Sequence, residues 1–215
     1  MKETRWYKAS RKHTAITILG ITALALLILI GIADAAQSPN VWFHKGSELM
    51  SEEKYNEAIK AFDKAIEVNP KNIDAWHNKG LALTKLGKLD EAVKVYTKAI
   101  ESNPQDSSSW FKKGNILSRL GKYDEAIESY NKAIEIDPRN SEAWNGKGVA
   151  LGNLGKYNEA ITAYDKSIET NPGDSESWYN KAATLNKIDK TDEAIKAFMK
   201  ATEVNPHIKI LPQNK

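Results

Sequence analysis

The chain has 215 residues, 41% of them hydrophobic and 27% charged, enough for one or two folded domains and too apolar for wholesale disorder. It has no cysteine, which excludes disulfides, thiolate metal sites, a cysteine nucleophile and lipid attachment through sulfur. Five of the 31 basic and two of the 28 acidic residues fall within residues 1–36, so the net charge of +3 sits there and the rest holds 26 of each sign. That balance gives the body no electrostatic case for nucleic acid.

The first element is apolar. From Thr14 to Ala33 the chain runs 20 residues without a charge, and as a helix this length spans about 30 Å, the thickness of a bilayer core. Eleven of those residues are Leu or Ile, contributing roughly −3 to −6 kcal/mol on an insertion scale, and a helix docked in a soluble core would need more polar relief. The basic residues Lys2, Arg5, Lys8, Arg11 and Lys12 precede it, which predicts a cytoplasmic flank over 1–13 and a membrane segment over 14–36, with everything beyond on the far side. Ala33-Asp34-Ala35 offers small residues at the −3 and −1 positions of a signal-peptidase site, so the segment reads either as an uncleaved anchor or as a signal peptide removed after Ala35. The second outcome would make the protein secreted.

The remainder, residues 37–206, is one unit repeated five times. Asn69-Pro70, Asn103-Pro104, Asp137-Pro138, Asn171-Pro172 and Asn205-Pro206 recur every 34 residues. With the proline at position 32, the units run 39–72, 73–106, 107–140, 141–174 and 175–206, followed by a tail over 207–215. Position 4 is Trp42, Trp76, Trp110, Trp144 and Trp178; position 8 is Gly46, Gly80, Gly114, Gly148 and Ala182; position 11 is Leu throughout. Position 20 is always Ala, position 24 is Phe62, Tyr96, Tyr130, Tyr164 and Phe198, and position 27 is Ala except for Ser167.

Steps of three and four between these columns predict two amphipathic helices per unit. Ser38, Asn72, Asp106, Asn140 and Asp174 stand as N-caps of the first helix, Gly87, Gly121 and Gly155 allow the tight turn, Asp or Asn at position 18 is expected to cap the second helix, and the proline closes it. The tryptophan column reads as core. On that reading Trp110→Ala should cost about 3–5 kcal/mol.

This pattern resembles the tetratricopeptide repeat (TPR) over residues 39–206, and the stretch beginning Ala143-Trp144 looks like the arrays common in archaeal and bacterial proteins. The resemblance implies an all-α fold: five helix-turn-helix units stacked in a right-handed superhelical solenoid, preceded here by the one hydrophobic helix. It further implies that the first helices line a concave groove and that the protein binds a peptide or protein partner there without chemistry of its own.

The resemblance places positions 2, 5, 6, 9, 12 and 13 on the concave face. Where the repeats differ at these positions, recognition is expected, at Phe43, His77, Asn78, Phe111, Lys112, Asn115, Asn145, Tyr179 and Asn180. Rings interleaved with amides suit an extended peptide. The basic clamp by which some TPR co-chaperones hold a terminal carboxylate is missing, since no repeat has Lys at position 5.

Lys at positions 7, 16 and 26 and Glu at positions 19 and 29 recur in every unit and read as a solvated ridge, with the position-7 stems packed over the core or gripping an acidic partner. His13, His44, His77 and His207 have no metal-ligand spacing, and no P-loop is present, so neither a cofactor nor a catalytic set is expected. The last repeat departs from the rest: Asp189 replaces the turn glycine and Thr191 the large residue at position 17. Its open end is expected to be covered by the tail residues Ile208, Ile210 and Leu211 or by a second copy, the latter making the protein a self-assembling scaffold.

Overall fold

A computed structural model of the chain describes residues 39–208. The basic flank, the apolar segment 14–36, Ser38 and the tail beyond Ile208 lie outside the described residues. The described part contains ten α-helices and no strand: α1 (Pro39–Ser51), α2 (Tyr55–Val68), α3 (Ile73–Lys85), α4 (Leu89–Ser102), α5 (Ser107–Arg119), α6 (Tyr123–Ile136), α7 (Ser141–Asn153), α8 (Tyr157–Thr170), α9 (Ser175–Asn186) and α10 (Thr191–Val204). Among them no helix is long and apolar enough to cross a membrane. The chain divides into two compact units at Asn72/Ile73.

The first unit contains the hairpin α1–α2. Glu53 takes φ 59° in its turn, and the Lys54 amide reaches back to the Leu49 carbonyl at 2.9 Å. The ring of Phe62 is fully buried against Gly46: a Cβ there would lie 2.5 Å from it, so only glycine admits the ring.

The second unit repeats this hairpin four times, α3–α4 to α9–α10. Asp106 and Asn140 accept the backbone N–H of Ser109 and Ala143 at 2.9 Å, and Asp174 that of Glu176 at 3.1 Å, so the expected caps of α5, α7 and α9 are in place. Position 18 does not cap. Each second helix starts at position 17, two residues earlier than a cap at 18 implies, and its N-cap is the lysine at position 16 with no side-chain bond; Asp90, Asp124 and Asp192 lie inside the first turn, where their charge complements the helix dipole.

Gly87, Gly121 and Gly155 take φ between 74° and 76°, and Asp189 forms the same turn at φ 59°. At the other end of each hairpin, Asn103, Asp137, Asn171 and Asn205 leave the helix extended, as a residue before proline must. Their side chains each accept the backbone N–H two residues on, at 3.0–3.2 Å.

The core of the second unit is built from Ala at positions 20 and 27, Leu at 11 and Tyr at 24. Tyr130 is 2% exposed, and a Cβ on Gly114 would approach its ring to 2.7 Å. The tryptophans are not at this centre. They are half-buried on its margin, each indole N–H of Trp110, Trp144 and Trp178 donating to the preceding proline carbonyl at 3.1–3.2 Å. The indole's size and its polar N–H explain the displacement. Lys79, Lys113, Lys147 and Lys181 then lie over these rings with Nζ 5.2–5.9 Å from the centroid, within cation–π range.

Successive hairpins of this unit meet through position 21. Val93 packs against the buried cluster of Leu117, Tyr130 and Ala143, and Ile161 packs against that of Ala182 and Leu185. Lys181 also bridges to Asp165 of the preceding repeat at 2.6 Å.

Candidate functional site

The first helices of the second unit enclose a cleft of about 700 Å³ centred on α5 and α7. A helix presents positions 2, 5, 6, 9 and 13 on one face by its 3.6-residue period, so each first helix offers several side chains to the same side. Four of the sequence-predicted residues meet here, namely Phe111, Lys112, Asn115 and Asn145. Leu81, Arg119, Glu142, Gly146, Val149 and Glu176 also line it. They occupy the same face positions and were signalled by that register, although composition alone gave no reason to single them out.

The two amides are fixed by neighbours. The Tyr130 hydroxyl donates to Asn115 Oδ1 at 2.7 Å, and burial holds that phenol well above its ordinary pKa, so it remains a donor. Asn180 Nδ2 donates to Asn145 Oδ1 at 3.1 Å. Both asparagines therefore keep their NH₂ groups for the cleft. Asn145 is only 9% exposed, so the cleft wall holds a largely buried amide. Gly146 sits against Tyr130, where a Cβ would approach the ring to 2.7 Å, so repeat 4 can approach repeat 3 closely at the cleft floor.

The other predicted residues are elsewhere. Phe43 belongs to the first unit and packs on Phe62, ring centroids 6.0 Å apart. Tyr179 leans on Phe198 at 6.4 Å, as Phe111 does on Tyr130 at 6.2 Å, so position-5 rings also shield the position-24 ring of their own repeat. Asn78 turns its amide to the Asp74 carbonyl, and Asn180 acts behind Asn145.

His77 joins two repeats. Its Nε2 lies 2.9 Å from Asp106 Oδ2 and 2.8 Å from Ser109 Oγ. Burial lowers its pKa, and Asp106 offsets part of that shift. Serine and aspartate share one ring nitrogen, whereas base catalysis on a serine needs them on opposite nitrogens.

The chain itself carries a signal for this joint. Phe43 and Phe111 at position 5 are followed by Asn-x-x-Ala at the next first helix (Asn72 and Ala75, Asn140 and Ala143). His77 and Asn145 are followed by Asp-x-x-Ser (Asp106 and Ser109, Asp174 and Ser177). In the latter joint Ser177 donates to Asp174 and shares a 2.8 Å hydrogen bond with Ser167. Among the described residues no group of His, Asp and Glu is arranged to hold a metal.

Family models agree with the repeat geometry. One described as TPR repeat matches residues 46–87 and 114–155; two described as Tetratricopeptide repeat match 73–106 and 141–174, and 95–128 and 163–196. Among solved structures, a crystal structure of MamA protein is similar at 20% identity, covering 82% of this chain and 100% of that one with a TM-score of 0.71. MamA from Desulfovibrio magneticus RS-1 is similar at 17% identity, 80% and 97% coverage and TM-score 0.71. YrrB, a TPR protein with an unusual peptide-binding site, is similar at 21% identity, 82% and 91% coverage and TM-score 0.66. At these identities the likeness concerns the fold. No curated protein matches the sequence at a significant level.

Proposed function

Residues 46–196 are tetratricopeptide repeats, and from that premise we propose that the protein is a non-enzymatic adaptor holding an extended segment of a partner protein in the α5–α7 cleft. The observation that carries this reading is the pair of oriented amides, Asn115 and Asn145, flanking the apolar side chains of Leu81, Phe111 and Val149. Fixed N–H donors beside apolar surface suit the carbonyls and side chains of an extended backbone. YrrB, of the same fold, has a peptide-binding site, which lends support. The apolar segment 14–33 and its basic flank support tethering to a membrane, or export across it, with the repeats on the far side. A photo-crosslinker placed at Val149 of the full chain in its own membrane should trap a partner segment. Phe111→Ala with Asn115→Ala should abolish that adduct, and an adduct that persists undiminished would refute cleft binding.

A second reading, self-assembly, is favoured by one observation. On α10, Ile195 is 54% and Met199 63% exposed. The residues equivalent to Ile195 in α4, α6 and α8 are covered by the following repeat, and the Met199 column is Asp63, Thr97, Asn131 and Asp165 elsewhere. If this face joins copies, light scattering will give a concentration-dependent mass that Met199→Asp abolishes. A constant monomer mass would exclude it.

A further inference from the structure

The cleft is charged differently at its two rims. Position 2, in the first turn of the first helices, is Asp74, Glu142 and Glu176 on α3, α7 and α9. Position 13, at their C-terminal ends, is Lys85 and Arg119 on α3 and α5, and Lys187 just past α9. The helix dipole favours this placement, acids at the start and bases at the end. Eleven residues separate the two positions, so they share a helix face and stand about 16 Å apart. Glu142 and Glu176 line the cleft at position 2 and Arg119 lines it at position 13, while Lys112, at position 6, lies between these levels and nearer the first.

These four groups also differ from the charges of the second helices. Lys98–Glu101, Lys132–Glu135, Lys166–Glu169 and Lys200–Glu203 neutralise one another at 2.7–2.8 Å. Lys112, Arg119, Glu142 and Glu176 form no ion pair among the described residues. Between them the cleft floor is apolar and amide-lined, through Phe111, Val149, Asn115 and Asn145.

We propose that the cleft selects a dipolar peptide segment: a basic side chain against Glu142 and Glu176, an acidic one against Arg119, and a short apolar stretch between. Extended chain advances about 3.3 Å per residue, so the axial 16 Å between the position-2 and position-13 levels sets the two charges at least about five residues apart. This rests on the adaptor reading above and sharpens its ligand. A uniformly charged segment would meet repulsion at one rim, which gives selectivity through mismatch as well as through attraction.

The test uses the full chain in detergent and blocked hexapeptides, with binding followed by NMR titration. One peptide has lysine first, glutamate last and two leucines flanked by serines between; an isomer places lysine and glutamate side by side in the middle; a third carries lysine at both ends. The first should bind about tenfold tighter than the other two at low salt, with the preference shrinking as salt rises. Arg119→Glu, whose side chain is exposed, should reverse the order in favour of the doubly basic peptide. Equal binding of all three that Phe111→Ala abolishes would overturn the dipolar selection and leave the cleft standing. No binding by any of them would overturn both.

Discussion

The two helices of each repeat obey different rules. The second helices carry the same Lys and Glu at positions 16, 19, 26 and 29, and pair them within the helix, as in Lys132–Glu135 at 2.7 Å and Lys88–Glu91 at 3.6 Å. The first helices hold a fixed column of Trp, Gly and Leu on the side facing their partner and vary on the side facing the cleft. Repetition therefore marks surfaces whose interactions are met by the scaffold, within the repeat or, as for position 21 and Lys181, in the adjacent one. Variation marks groups such as Lys112 and Glu142, whose hydrogen bonds and charges are not used up by the scaffold.

Substitutions can break this contrast, and the largest effect belongs in the fixed columns. Tyr130→Ala empties a buried site and should cost about 3–5 kcal/mol in urea unfolding. Trp110→Ala should cost only about 2 kcal/mol, because the indole already meets water. Equal losses would return the tryptophan to the core.

The turns come next. Gly121→Ala puts a Cβ at φ 74° and should lower stability by about 1–2 kcal/mol, whereas Asp189→Gly, relieving φ 59°, should raise it by up to about 1 kcal/mol. Opposite signs in the same thermal-melt series are the expected outcome.

The joint at His77 should show through pH. Its folded pKa lies below the usual 6.5, so the unfolded chain binds the extra proton first. Stability from this residue is present above about pH 6.5 and is lost as the pH falls from there toward the folded value. His77→Gln should flatten that part of the stability profile, and an unchanged slope would remove His77 from the joint. The smallest effect is expected on the paired ridge: Lys132→Ala should change stability by under about 0.5 kcal/mol, since both partners are exposed.

How far the sequence could be read follows the same division. The hairpins were legible because Gly80 against Tyr96 and Gly114 against Tyr130 are size complementarities that recur at fixed spacing. The cleft was legible in part: its register named the face, and Phe111, Lys112, Asn115 and Asn145 converge there. What escaped depends on packing between distant residues. His77 meets Asp106 29 residues away, an approach set by how one hairpin seats on the next. The second-helix start was misplaced because Asp at position 18 satisfies an N-cap pattern equally well from inside the first turn. The tryptophans were legible as packing residues, since Trp110, Trp144 and Trp178 lie against the buried clusters, but their place at the edge was not: the Trp110 indole N–H donates to the Pro104 carbonyl there.

The fit of glycine to ring has a consequence of another kind. Gly80 receives Tyr96, Gly114 receives Tyr130 and Gly148 receives Tyr164, so the donor and receiver of each contact are encoded within one 34-residue stretch. Copying or deleting such a stretch moves both halves together. A gene built this way can lengthen or shorten its product in whole hairpins without mismatching the glycine–ring contact inside any of them, while each new copy brings a fresh set of outward residues free to diverge.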